Sequence, residues 1–388
     1  MKRISIFLFL VFSSTFCLAQ GNLESLEKEL QAHFDASDLP GFSVALVDQN
    51  GILFQQAFGF ADQENPKEFT TKSILNMGSV SKTMVGLALA KTIEEGKISM
   101  DLPINDFLPF EVQNPYFKDD PILIKHLANH SSTITDTKHY GQTYVLDDSF
   151  VKNGNINEDF LGFIQSHEKV SLQDFLYSIL SKDGKRYAKK NFLKAKPGLE
   201  NEYSNLNAAL LGLIIEIVNE STLEDFSRSN IFEPLGLKFT SWKLNPVNRP
   251  LLARRYFPAG FEVPAYSLIT YPDGGLYSNT EDMAIYLSEM IKAYSGVSKY
   301  LKPEFAQLML PGDSDESRAF WGMGQESRNI GHGGSDPGIQ TDIQFNADRK
   351  IGRVILCNVN AEDNEKLWEQ YRGIHEILAR YELRFSEE

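Results

Sequence analysis

A serine followed three positions later by a lysine puts a hydroxyl and an amine about one turn apart on one face of a helix, and the helix N-terminus adds positive potential around the hydroxyl. That pairing suits a nucleophile and its base. The pattern occurs at Ser25/Lys28, Ser79/Lys82, Ser149/Lys152 and Ser166/Lys169. Ser25 falls inside an amphipathic surface helix, Ser149 follows Asp147-Asp148 in a loop, and Ser166 sits among charged residues. Only Ser79 opens a helix that is apolar nearly all round, directly after Gly78. A buried lysine can lose its proton near neutral pH, which an exposed one cannot, so Ser79 and Lys82 are the candidate nucleophile and base.

Two further groups could serve the same chemistry. Tyr203-Ser204-Asn205 follows Pro197-Gly198 at the mouth of a second strongly apolar helix, which would hold a phenol and an amide rigidly. A second copy, Tyr277-Ser278-Asn279, reads instead as a turn leading into the helix start Glu281-Asp282-Met283. His332-Gly333-Gly334-Ser335 ends a predicted strand, where two glycines let another backbone approach closely. Such an approach suits aiming an N–H at a carbonyl oxygen, although alone the segment reads equally as a bulge.

The elements that must hold these groups follow from hydrophobic period. Leu23, Leu26, Leu30 and Phe34 form one helical stripe; Phe42 to Val47 and Ile52 to Phe58 flank Asn50-Gly51 as a β-hairpin. Ser79 to Glu95 reads as a helix closed by Gly96, and Asn205 to Val218 as another. Strands return at Arg328 to His332, Gln340 to Phe345 and Ile351 to Val359, before a helix from Glu362 to about Arg380. Between Asp101 and about Pro264 no strand is expected, and residues 138–200 read as a loop-rich insertion. Strands at both ends around a helical middle imply one antiparallel sheet built from the two terminal segments. The expected organisation is an α+β fold with residues 20–100 and 265–388 as a sheet lobe and 101–264 as a helical lobe.

Composition narrows the partners. Lys and Arg total 38 against 52 Asp and Glu, a net charge of −14, so an acidic surface argues against nucleic acid. Met1-Lys2-Arg3, an apolar run from Ile4 to Phe12 and small residues at Cys17 and Ala19 read as a secretory signal over 1–19, too short to span a membrane. Its loss removes two cations and takes the charge to −16. The expectation is an exported protein, periplasmic or secreted, with no stable membrane insertion after cleavage. Cys357 is then the single remaining cysteine, so no internal disulfide can form. His126 and His130 have zinc-helix spacing but no glutamate between them, and Gly274-Gly275 lacks the further residues of a phosphate loop. Neither a metal nor another cofactor is expected.

Together, and in this order, Gly78-Ser79-Val80-Ser81-Lys82, His130-Ser131-Ser132, Tyr203-Ser204-Asn205, Glu233-Pro234-Leu235-Gly236-Leu237 and Gly331-His332-Gly333-Gly334 resemble the serine β-lactamase and penicillin-binding-protein family. The class C β-lactamase-related serine hydrolases are the nearest group. The resemblance implies an antiparallel sheet with flanking helices and a mostly helical lobe, with the site between them. It implies Ser79 as acylated nucleophile, Lys82 as base and Tyr203 as proton relay to the leaving group. Asn205 would orient substrate or Lys82, and the backbone N–H groups of Ser79 and Ser335 would form the oxyanion hole, with Gly333 and Gly334 beside it. His332 stands where the family has a lysine that helps bind a carboxylate, so hydrolysis of an ester, an amide or a small peptide is favoured over strong β-lactamase activity. Thr133 replaces a family glycine, which puts the loop path beside the site in question. The alternatives are a β-lactamase or D-amino-acid peptidase acting on cell-wall-type substrates, and a non-catalytic binding protein of the same fold.

Overall fold

The computed structural model describes residues 22–387 apart from 149, 153, 259, 314–316 and 363, so the expected signal segment and Ser149 lie outside the described residues. Helix α1 (22–35) leads into strand β1 (Gly41–Asp48), which turns through Gln49-Asn50 into β2 (Gly51–Asp62). Asp48 Oδ1 accepts from the N–H groups of Asn50 and Gly51 at 2.7 and 3.1 Å, and Gly51 takes the positive φ of +137° that the turn requires. Two short pieces follow, β3 (Lys67–Glu68) and β4 (Leu75–Asn76), before helix α2 (Ser81–Glu94).

The helical region carries α3 (Ile124–Ala128), β5 (Tyr144–Leu146), α4 (Glu158–Gln165), α5 (Leu172–Leu180), α6 (Asn205–Asn219) and α7 (Leu223–Ser227), which runs through a π-helical turn into α8 (Glu233–Leu235). Strands β6 (Tyr266–Leu268) and β7 (Tyr277–Ser278) precede α9 (Thr280–Tyr294) and α10 (Pro303–Met309). The chain closes with β8 (Ser317–Arg318), β9 (Trp321–Met323), β10 (Asn329–Asp336), β11 (Ile339–Asn346), β12 (Ile351–Cys357) and α11 (Glu365–Glu387).

Eight of these strands make one antiparallel sheet in the order β3-β2-β1-β12-β11-β10-β9-β8, so the two ends of the chain meet at the β1–β12 pair. Both strands are buried on both faces, which explains the apolar runs Val44 to Val47 and Val354 to Cys357. Phe42, Val44, Leu46, Ile355 and Cys357 point to a layer made by α1 and α11, with Leu26, Leu30, Ile374 and Leu378. Ala45, Val47, Val354 and Leu356 point the other way, into the larger core around α2, α6 and α9. Burial on the first of these faces pushes the Cys357 thiol up to about 12, so it stays unionised and unreactive.

Three expectations need correcting. The helical region holds a strand, β5, which pairs with β6; at three residues it is too short to show alternation in sequence. Residues 138–200 are more ordered than a surface loop: α5 buries Leu172, Phe175, Leu176, Ile179 and Leu180, a short stripe at helical spacing that the surrounding Lys, Asp, Asn and Gly obscured. Tyr277 and Ser278 lie in a strand rather than a turn, pairing with β4, while Asn279 caps α9 through Oδ1 and the Asp282 N–H at 2.9 Å.

Candidate active site

Ser79 lies in a single 3-10 turn, Gly78–Val80, that runs directly into α2. No acidic residue occupies the first turn of that helix, so its positive end is left to the neighbourhood of Ser79. Lys82, fully buried on α2, brings Nζ to 2.9 Å from Ser79 Oγ and donates to the Asp273 carbonyl at 2.6 Å. The Tyr203 hydroxyl donates to the same Oγ at 2.7 Å, and Lys82 Nζ lies 5.2 Å from the centre of the Tyr203 ring. Ser79, Lys82 and Tyr203, 124 positions apart at the extremes, thus converge on one oxygen.

Tyr203 is half exposed and is held from behind. The His130 ring packs 4.6 Å from it, and Phe320 meets His130 edge-on at 5.1 Å. His130 Nδ1 accepts from the Ser204 N–H and from Asn207 Nδ2, both at 3.3 Å, so its proton sits on Nε2. Burial, then the charge of Lys82, pushes His130 down to about 3, so the ring is neutral at every ordinary pH. His126 is also engaged structurally: its Nδ1 accepts from the Leu123 N–H at 3.1 Å and caps α3. The loop beside them keeps a left-handed residue where the family glycine is missing, with Thr133 at φ +74°. Its hydroxyl accepts from Asn114 Nδ2 at 2.8 Å and its carbonyl from the Leu193 N–H at 2.8 Å, which hold that conformation.

Asn205 departs from its expected place. Its Nδ2 donates to Asp136 Oδ2 at 2.8 Å, not to Lys82, and its backbone N–H bonds the same oxygen at 2.9 Å. Asp136 Oδ1 accepts from the Ser204 hydroxyl at 2.8 Å and from the Leu206 N–H at 3.2 Å. One carboxylate therefore caps α6 from 68 positions away, and no short motif announces it. Asp136→Ala should cost about 1 to 2 kcal/mol in denaturant unfolding, the range for losing a cap and its charge on the helix dipole. Because Tyr203 is the residue just before this N-terminus, the same variant should lower kcat.

On the sheet side, β9 pairs with β10 only at Ile330 and Gly331, so His332 to Asp336 form an edge with β11 as their one strand neighbour. A Cβ on Gly334 would come within 2.3 Å of Met77 O and of Thr341 Oγ1, and 3.2 Å from Ser79 N. A Cβ on Gly78, at φ +50°, would stand 3.2 Å from Ser335 N. Glycine at both positions is what lets the two backbones, and with them the N–H groups of Ser79 and Ser335, lie side by side. His332 turns Nδ1 to the Gly333 carbonyl at 2.6 Å; a carbonyl only accepts, so Nδ1 carries the proton and Nε2 the lone pair. Burial and the nearby Lys82 charge push His332 down to about 4, leaving it neutral near pH 7. Ser79, Tyr203 and His332 to Ser335 line a cleft of about 510 Å³.

Behind Lys82 lie two buried carboxyl groups that sequence reading missed. Asp273 accepts from the Tyr140 hydroxyl at 3.0 Å, Asp336 from Tyr144 at 2.5 Å, and Asp273 Oδ2 has no partner among the described residues. Both tyrosines come from the 138–200 insertion. Burial pushes Asp273 up to about 8, with Lys82 the main opposing influence. The folded protein therefore keeps a proton there that the unfolded chain loses above the ordinary value of 3.8. Stability from this group is greatest at low pH, falls as pH rises from about 4, and is fully lost above about 8. Asp273→Asn should remove that loss, so the gain in Tm over wild type should grow from pH 5 to pH 8.5, by a few degrees in thermal melts.

The family described as Beta-lactamase matches residues 23–376. The chain belongs to the Beta-lactamase family. Among curated relatives of this Beta-lactamase-family chain, Protein flp of Staphylococcus aureus (strain N315) is 21% identical over 386 residues, covering 95% of this chain and 72% of the relative. A putative D-alanyl-D-alanine carboxypeptidase of Salmonella typhimurium is 25% identical over 317 residues, covering 80% of this chain and 60% of that one. Among solved structures, the octameric penicillin-binding protein homologue from Pyrococcus abyssi superposes with a TM-score of 0.67 at 22% identity, over 86% of this chain and 73% of its own. FmtA from Staphylococcus aureus gives 0.65 at 20%, over 92% and 89%. The fold is thus that of penicillin-binding and β-lactamase-fold proteins, an antiparallel sheet with helices, and the family is one of serine hydrolases that includes carboxypeptidases.

Proposed function

We propose that the protein is an exported serine hydrolase that forms an acyl-enzyme on Ser79 and acts on an ester, an amide or a small peptide. The observation that carries this is the Ser79 oxygen, held between Lys82 Nζ at 2.9 Å and the Tyr203 hydroxyl at 2.7 Å at the floor of an open cleft. Once Lys82 has given up its own proton, Ser79 passes its proton to Nζ as Oγ bonds the substrate carbonyl carbon. The carbonyl electrons move to oxygen, where the Ser79 and Ser335 N–H groups receive the charge. Collapse breaks the bond to the leaving group, which takes its proton through Tyr203. Water then repeats the sequence in reverse and frees the acid. The N-terminal pattern over 1–19 supports the export reading.

A neutral His332 in place of a lysine supports esters and amides without a carboxylate anchor over β-lactams. The carboxypeptidase name of the Salmonella relative supports a D-amino-acid peptide as second reading. A binding protein that does no chemistry would have no need of a buried lysine against a serine. Turnover of p-nitrophenyl esters, a D-alanyl-D-alanine peptide and a chromogenic β-lactam, each with wild type and Ser79→Ala, separates the readings: ester turnover lost in the variant is expected, and a faster β-lactam than ester would reverse the ranking.

A further inference from the structure

The cleft does not stop at Ser79. Past the side-chain-free surface of Gly333 it continues to the outer face of the sheet, where Gln340 and Asp342 of β11 face Trp368, Tyr371 and His375 of α11. This far wall is polar and incompletely satisfied. Gln340 Oε1 and the Tyr371 hydroxyl are both buried and have no hydrogen-bond partner among the described residues. Buried polar atoms are rarely left so, and a cavity beside them is where a partner would sit. Asp342 adds a carboxylate whose Oδ2 lies 3.8 Å from where a Gly333 Cβ would be, and Glu362 adds a second at the mouth, 3.4 Å from Gln340 Nε2. Of the cations nearby, Arg353 bonds Glu382 at 2.6 Å, and Arg372, exposed on the rim, lies 3.7 Å from Glu376. His375 is neutral, pushed down to about 3 by burial and by Arg353. Burial also pushes Asp342 up to about 6, against the charge of Arg353 and a 2.6 Å hydrogen bond from Gln344 Nε2 to its Oδ1, which leaves Oδ2 toward the chamber.

We propose that this outer chamber, between β11 and α11, receives an ammonium group carried by the substrate. Resting on the serine-hydrolase reading, the proposal names the substrate class as cationic esters or amides. Acceptors at Gln340, Asp342 and Glu362 match an ammonium donor, and the stacked Trp368 and Tyr371 rings, 5.8 Å apart, add faces that attract a cation. The neutral His332 fits the same selection, since it offers no fixed charge to a carboxylate beside Ser79.

The test compares p-nitrophenyl 6-aminohexanoate, heptanoate and monoadipate at pH 7.5, which differ in the charge at the end of the acyl chain. The aminohexanoate should exceed the heptanoate in kcat/KM by roughly tenfold, and Asp342→Asn or the exposed Glu362→Gln should bring that ratio toward one. Calorimetric binding of 6-aminohexanamide to Ser79→Ala protein reads the chamber without turnover, and should weaken tenfold with Asp342→Asn added. A ratio of one in the wild type, a ratio both variants leave intact, or monoadipate preference lost in Arg372→Ala would overturn the proposal. Failure of the hydrolase reading looks different: no ester is turned over and no fluorophosphonate adduct forms, while the calorimetric binding still decides the chamber.

Discussion

Ser79→Ala should lower kcat by on the order of 10⁵- to 10⁶-fold, the scale set by removing the nucleophile from a serine hydrolase. The alanine removes the one atom on which Lys82 and Tyr203 converge, so no acyl-enzyme can form. Folding should be little affected, because the hydroxyl contributes no hydrogen bond to the 3-10 turn itself and Gly78 keeps its backbone path. Thermal melts should overlay within a degree or two while ester turnover vanishes. A variant that retained a percent of the wild-type rate would mean that the reaction does not pass through this oxygen.

Lys82→Met should cost about 10²- to 10⁴-fold in kcat, as expected for loss of a general base, with a side chain of similar length left in the buried slot. Two contacts go with it, to Ser79 Oγ and to the Asp273 carbonyl. The sharper expectation concerns the double variant. Because Lys82 acts only through Ser79, Ser79→Ala with Lys82→Met should be no slower than Ser79→Ala alone. Independent, multiplying losses would instead assign Lys82 a structural or binding role.

The parts of this site that can be read in the sequence are those encoded locally. Ser79 and Lys82 are one helical turn apart on an apolar run that only a buried helix could use. Tyr203 precedes another such run, and Gly334 flags a close backbone approach, whereas a Cβ on Gly333 would meet nothing nearer than 3.8 Å. The antiparallel sheet from both chain ends is legible for the same reason, since β11 alternates along its length and β1 and β12 carry the apolar runs of doubly buried strands. What the sequence hides is long-range. Asp136 reaches α6 from 68 positions away, and Asp273 and Asp336 meet tyrosines 133 and 192 positions distant. Asn205 illustrates the cost of reading a motif alone: the resemblance implied substrate or Lys82 as its partner, yet the Asp136 carboxylate takes its amide. The wall of α11 is invisible for a similar reason, because Trp368, Tyr371 and His375 share a helix face whose distance from Ser79 is set by the whole sheet.

The most direct test of the central claim is intact mass after exposure to a fluorophosphonate probe, with wild type and Ser79→Ala side by side. An activated serine should give one adduct on the wild type and none on the variant, whatever the natural substrate. An adduct that persisted on Ser79→Ala, or a folded wild type left unmodified by both the probe and a β-lactam, would contradict the assignment of Ser79 as nucleophile.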